Sequence, residues 1–382
     1  MITTYTNGTD FEYLVAAYFQ SQGYLVRRGL LYRDNGNEIT EVDIYGIKFI
    51  RPFLSNTIIC DCKDKAKPKP IERILWSKGI GEVLNADNIF VALPKVRKEA
   101  IDFAAKNNIK VLTTDMLRSV VNSQQDSYYG LADMNFYMPF YKQAYNLVHK
   151  NKQLGAMIDH VRSLYIVANP YAALNRALTL IDKVCDNLDL LDKTEALYRV
   201  WRYILFELVV LVSLHITTVA SICSSLQGDT LQKHIVLKLT FGESDPRKAQ
   251  EILRLAVQYA SKATLLGRVG NMPWAKDLVT PPKYAHAVAG LVSWAHRDPN
   301  VYTLLPILTD YLLFEHAFKT DSFDANEFSR RFGDRDIEKS LKTAKNIMVL
   351  IRDNTKLDLK HMWPNVEHNL PSINQSAGSF RT

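Results

Sequence analysis

Cysteine is scarce in this chain, four in 382 residues. That is too few for a disulfide framework and points to a reducing, cytoplasmic setting. Several familiar chemistries lack their motifs. No GxxxxGK[ST] loop is present, which excludes a P-loop nucleotide site; no GxGxxG follows a strand pattern, and no GxSxG elbow occurs. The nine histidines are scattered, with no HExxH and no pair at metal-ligand spacing. Neither sign of charge dominates: 47 Lys+Arg against 40 Asp+Glu leave a net charge of +7, a mild lean towards polyanions. There is no internal repeat at a fixed period. The polar stretch Met1 to Gly8 has no basic patch followed by an apolar core, so no secretory leader is expected.

Long uncharged apolar runs are also rare. Leu208 to Gly228 has no Asp, Glu, Lys or Arg and is long enough to cross a bilayer. Against a membrane span stand His215, Thr217, Thr218, Ser221, Ser224 and Ser225 in its second half, and the lack of a companion span. A central helix of a large helical domain, apolar all round because it is buried all round, explains the same letters. No membrane partner is therefore expected. With 47% hydrophobic and 23% charged residues the chain reads as globular, long enough for two domains.

The first part, residues 1–118, alternates helical and strand patterns. Phe11, Leu14, Val15 and Tyr18 recur at helical spacing, Thr9 and Glu12 form a capping-box signature, and Gly23 ends that helix. Three extended runs follow, Tyr24 to Arg28, Glu41 to Phe49 and Thr57 to Lys63, with turn residues at Asp34 to Asn37 and at Arg51, Pro52, Ser55 and Asn56. A helix from Ile71 to Asn85 leads to a strand at Asn88–Leu93, then a helix over Arg97–Asn107 and a strand at Ile109–Leu112. This is an α/β sandwich. Periodicity fades over residues 119–136, read as a linker. Residues 137–363 are almost wholly helical in pattern, and 364–382, rich in Asn, Ser, Gly and Pro, read as a loose tail. The fold class is thus an α/β N-terminal domain followed by an all-α C-terminal domain.

Chemistry gathers in the α/β part. Asp43 opens one strand pattern, and Asp61-Cys62-Lys63 closes the next. Side chains alternate on a strand, so Asp61 and Lys63 share one face and Cys60 and Cys62 the other. If the strands pair as a hairpin, Asp43 comes alongside Asp61. Two carboxylates with a neighbouring main-chain carbonyl, that of Cys62, suit Mg²⁺ (with Mn²⁺ as a substitute), which needs few protein ligands when a phosphate supplies the rest. Such a cation acidifies water and neutralises a phosphodiester, while Lys63 orients the water or steadies the transition state.

The order Glu12, Asp43, Asp61-Cys62-Lys63 resembles the PD-(D/E)xK, restriction-endonuclease-like nuclease superfamily, closest to its Mrr-like and Holliday-junction-resolvase-like branches. Ile89 to Leu93, Ala100-Ile101-Asp102-Phe103-Ala104 and Ile109 to Leu112 continue the likeness, which covers about 110 residues. Two departures stand out: Val42 where the family name has Pro, and Asp61 where Glu is commoner. The resemblance implies a Mg²⁺-dependent endonuclease acting on double-stranded DNA, in a restriction, phage-defence or recombination setting. It also implies that Asp43 and Asp61 bind the metal, that Lys63 is catalytic and that Glu12 supports the site. A homodimer is implied likewise, and the helical domain would serve targeting, dimerisation or docking to a protein partner. The alternatives are an RNA or single-strand nuclease subunit, and a catalytically inactive nucleic-acid-binding scaffold.

Each of these residues has a plainer reading. Glu12 can be only the acid of its capping box, and Asp61 with Lys63 a surface ion pair, although Asp43 in a strand, where Asp is depleted, resists dismissal. Cys60 and Cys62 read as small core residues. Lys65, Lys67 and Lys69 either keep an edge soluble or contact phosphates. Residues 301–360 resemble a winged-helix segment, with a helix ending at Gly333, a second from Asp336 to Leu350 and a wing-like stretch over Arg352 to Lys360. Arg330 and Arg331, with Lys339 and Lys342, are then phosphate contacts; the plainer reading is two amphipathic helices of a bundle.

Overall fold

A computed structural model of the chain describes residues 9–34, 37–50, 54–64, 69–123, 134–263, 280–320, 322–332 and 337–362. Helix α1 (Thr9–Ser21) ends as its sequence demands: Gly23 takes φ +81°, its N–H reaches Gln20 O, and the N–H of Tyr24 reaches Phe19 O. These are the two bonds of a Schellman cap, which need a residue free to enter the left-handed region. The chain then enters a sheet of five strands in sequence order: β1 (Leu25–Asp34), β2 (Asn37–Ile50), β3 (Leu54–Cys62), β4 (Asn88–Leu93) and β5 (Ile109–Thr113). The first three are antiparallel neighbours; β4 and β5 run parallel to β3. Helices α2 (Pro70–Val83) and α3 (Lys98–Lys106) make the crossovers, and α4 (Thr114–Ser123) follows β5.

The two sheet faces bury different partners. Val26, Ile44, Ile58, Cys60, Cys62 and Phe90 pack with Phe11, Val15 and Phe19 of α1 and Leu117 of α4. On the opposite face Val91, Leu93 and Ile109 meet Ile74 of α2 and Ala104 of α3. That face continues through Ile47 and Leu25, and there the cover comes from the helical region: both belong to the same apolar core as Leu164, Phe206 and Phe314. All four cysteines are buried with free thiols, as core residues.

The helical region comprises α5 (Met134–Lys150), α6 (Lys152–Ser163), α7 (Pro170–Leu188), α8 (Ala196–Ile222), α9 (Gly228–Phe241), α10 (Pro246–Ala263), α11 (Ala285–Arg297), α12 (Pro299–Tyr302), α13 (Leu305–Tyr311), α14 (Ala325–Phe332), α15 (Ile337–Asn354) and α16 (Leu359–Met362). A π-helical turn, Leu312–Phe318, continues α13. Helix α8 is long and apolar enough to cross a membrane by length and composition, yet 89% of its most apolar window is buried inside the protein. It is the buried central helix that its mixed second half calls for: His215 faces Leu164 O at 3.2 Å and Thr217 donates to Ser213 O.

Two sequence expectations need correction here. The stretch 119–136 is not all linker, since α4 runs to Ser123 and α5 begins at Met134; of the polar residues that suggested a loop, Ser119, Asn122 and Ser123 are exposed positions of α4, and 124–127 lie outside the described residues. And no wing follows α15. Arg352 to Asn354 continue that helix, a short non-helical link over 355–358 follows, and Leu359 begins α16, so the described residues of the 301–360 segment contain helices and links but no strand. Buried Ile347, Leu350 and Ile351 on α15 give the bundle reading its physical basis. The tail from 364 lies outside the described residues.

Candidate active site

The hairpin β2–β3 sets the site. Its register pairs Ile44 with Cys60, so the next position brings Asp43 opposite Asp61, the juxtaposition expected from the sequence. Asp43 Oδ2 accepts the main-chain N–H of Cys62 at 2.7 Å. A strand residue directs its N–H and C=O to the same side, so the Cys62 carbonyl also lies on the Asp43 side. Lys63 Nζ stands 3.4 Å from Asp43 Oδ2 and 3.8 Å from Asp61 Oδ1, bridging the two acids. Asp61 is almost wholly buried, its side chain 1% exposed, whereas Lys63 is 31% exposed and reaches solvent.

Burial governs the titration of these acids. Desolvation raises Asp43 to about 6, against the pull of Lys63, and the Asp61 charge adds to the rise. Glu12 rises further, to about 7, chiefly by burial, with Arg28 opposing and Asp43 and Glu41 adding to it. Glu12 projects from the first turn of α1 and pairs with Arg28 of β1 at 3.4 Å. Arg28 in turn lies over the Tyr13 ring, 3.6 Å from its centroid. The acids therefore come as a close pair, Asp43 and Asp61, with Glu12 a neighbour turned towards its own cation. Among the described residues no set of three or more His, Cys, Asp and Glu side chains is gathered to hold a metal ion.

One residue at the site escaped the sequence reading. Arg73, on the first turns of α2, grips Asp61 with both arms of its guanidinium: Nε donates to Oδ2 at 2.7 Å and a terminal nitrogen donates to Oδ1. Its carbon lies 4.5 Å from the centroid of the Trp76 ring. The contact depends on how α2 crosses the sheet after the β3–α2 connection, for which the sequence carries no local signal.

The remaining candidates are dispersed. Lys69 is exposed and pairs with Glu72 at 3.0 Å, while Lys65 and Lys67 lie outside the described residues. Arg330 and Arg331 belong to α14 in the helical region; Arg331 is engaged by Glu327 at 3.0 Å. Lys339 pairs with Asp298. The structure thus does not gather Arg330 and Arg331 with the acids of the sheet, and among the described residues no strand of a wing stands in their region.

Cys60 and Cys62 lie on the α1 side of the sheet, where burial pushes both thiols up and keeps them protonated. What the site can do follows from its donors: two carboxylates and one main-chain carbonyl, all hard oxygen, beside an ammonium that reaches water. No curated protein and no solved structure matches the chain. A family model described as a restriction endonuclease matches residues 4–121, the span that holds α1, the five strands and both acids. The N-terminal part of the chain is a restriction-endonuclease-like domain, and a helical region follows it.

Proposed function

We propose that this protein is a metal-dependent endonuclease that hydrolyses phosphodiester bonds of DNA. The observation that carries the reading is the placement of Asp43 opposite Asp61 with Lys63 Nζ within 3.4 and 3.8 Å of the two, inside a domain that matches the restriction endonuclease family. The oxygen donors suit Mg²⁺ or Mn²⁺: Asp43, Asp61 and the Cys62 carbonyl would hold the cation. When bound, such an ion supplies charge neutralisation on the phosphodiester and a lowered water pKa.

The chain's own groups do the rest. The Lys63 ammonium, partly open to solvent, orients a water for in-line attack and offsets charge on the reacting phosphate. Glu12, lifted to about 7, holds or yields a proton at the margin of the site near neutral pH. Exposed Lys69 is positioned on the same connection as the catalytic strand and would meet backbone phosphates, together with Lys65 and Lys67. The helical region would provide targeting, dimerisation or docking to a protein partner, in a cytoplasmic restriction, phage-defence or recombination setting.

A second reading has one observation in its favour. Both oxygens of Asp61 are already engaged by Arg73, which suits an inactive fold retained for nucleic-acid binding. Digestion of supercoiled plasmid, linear duplex, single-stranded DNA and RNA side by side, with Mg²⁺, Mn²⁺ or EDTA, separates the readings. Metal-dependent nicking of duplex DNA supports the first; cleavage of RNA or single strands alone moves the substrate. Binding without cleavage of any of them supports the scaffold.

A further inference from the structure

The charges at the acid pair cancel. Asp43 and Asp61 face Lys63 and Arg73, two anions against two cations, and the nearby Glu12 is matched by Arg28. A dication entering this largely buried set adds two positive charges to a neutral group, which is unfavourable unless a cation leaves. Lys63 is the weaker holder, at 3.4 and 3.8 Å from its acids. Arg73 is the stronger, with a bidentate grip on both Asp61 oxygens, the geometry in which guanidinium–carboxylate pairs are strongest. Arg73 also has somewhere to go. Its side chain is 21% exposed, whereas Asp61 is 1% exposed, so the guanidinium, which lies over the Trp76 ring while it grips Asp61, has solvent on its open side to move into.

We propose that Arg73 is an internal counter-ion that competes with the divalent cation for Asp61, so that the metal-free protein holds its own acid closed and cation binding requires the guanidinium to move aside. This rests on the reading of Asp61 as a metal ligand. Arg73 is here a positioning residue: it acts through the carboxylate it holds. The competition is reciprocal, as any two ligands of one group must be. Arg73 stabilises the metal-free fold and weakens cation binding by the same linkage.

The test is titration calorimetry of the full chain with Mn²⁺, on wild type, Arg73→Gln and Asp61→Asn, together with the melting temperature of each protein with and without Mn²⁺. Gln keeps a polar side chain and removes the charge. The expected result is that Arg73→Gln binds Mn²⁺ about tenfold more tightly than wild type. It should also melt lower without metal and gain more from Mn²⁺ than wild type gains, while Asp61→Asn loses cation binding.

If Asp61→Asn loses binding but Arg73→Gln binds Mn²⁺ no more tightly than wild type, competition is overturned and the metal reading survives. If Asp61→Asn binds as wild type does, the metal reading itself fails and the proposal with it. Should Arg73→Gln not fold, Arg73→Met gives the same comparison. It also removes the charge and the grip on Asp61 while keeping an unbranched stem, and an unchanged Mn²⁺ affinity in that variant overturns the proposal.

Discussion

Asp43 on β2 is tied to the main chain of β3, its Oδ2 accepting the N–H of Cys62 at 2.7 Å. The first acid of the site is therefore positioned by the strand that carries the second. Asn at this position keeps an oxygen acceptor; Ala does not. Asp43→Asn is expected to melt within a few degrees of wild type, while Asp43→Ala leaves a part-buried N–H unpaired and loses about 1–3 kcal/mol. Denaturant unfolding of the two variants checks this; equal losses would show that the bond does not position the acid.

Titration of the acids gives a second expectation. Asp43 at about 6 and Glu12 at about 7 bind protons in the folded protein at a pH where the unfolded chain has released them. With more protons on the native state, stability of the metal-free protein falls as pH rises from about 4 to 7. Cation binding, which needs the ionised acids, strengthens over the same window and releases protons. Melting temperature followed from pH 5 to 7.5 should fall less steeply in Asp43→Asn than in wild type. An identical slope would remove Asp43 from the account.

The junction between sheet and helices rests on a buried charge cluster. Arg27 of β1 donates to Glu207 of α8 at 2.9 Å and to Asp310 of α13 at 2.6 Å, and Tyr165 and Tyr203 also donate to Glu207. Removing the cation strands two buried carboxylates. Arg27→Met is expected to cost about 3–5 kcal/mol. Asp310 is raised to about 6 by burial and held down by Arg27, so without Arg27 it protonates more readily and the loss should be smaller at pH 5 than at pH 8. Urea unfolding at the two pH values measures it; a loss independent of pH would contradict the cluster's role.

Helix α2 reaches Asp61 only because it lies close on the sheet. A Cβ at Gly81 would overlap Cγ1 and Cδ1 of Ile89 on β4. Gly81→Ala should therefore cost about 1–3 kcal/mol and, by lifting α2, weaken the grip of Arg73 on Asp61. Gly79→Ala on the same helix, where nothing lies within 4 Å, is the control and should not destabilise.

Much of this was legible in the chain itself. Gly23 announces the end of α1, and the alternation through β3 sets Asp61 on one face, with Lys63 just past the strand's end reaching the same acids. Asp43 falls opposite Asp61 because hairpin register follows from the apolar pattern of Ile44, Ile58 and Cys60. Arg73 was not legible, since its partner is fixed by the angle of α2 across the sheet rather than by spacing. Nor was the shared core: Arg27 reads as an ordinary strand residue until Glu207 and Asp310, far along the chain, close around it. The wing-like reading of Arg352 to Lys360 failed because polar composition does not distinguish the exposed side of a helix end from a strand.

The central claim is that the Asp43–Asp61 pair hydrolyses DNA with a divalent cation. Its most direct measurement is the rate at which wild type and Asp43→Asn nick supercoiled plasmid in Mg²⁺, at matched folding and with EDTA as the blank. The account predicts Mg²⁺-dependent nicking by wild type and a fall of about 10²–10³-fold or more in Asp43→Asn, the scale on which single electrostatic groups act at transition states. Nicking by Asp43→Asn at the wild-type rate would contradict it.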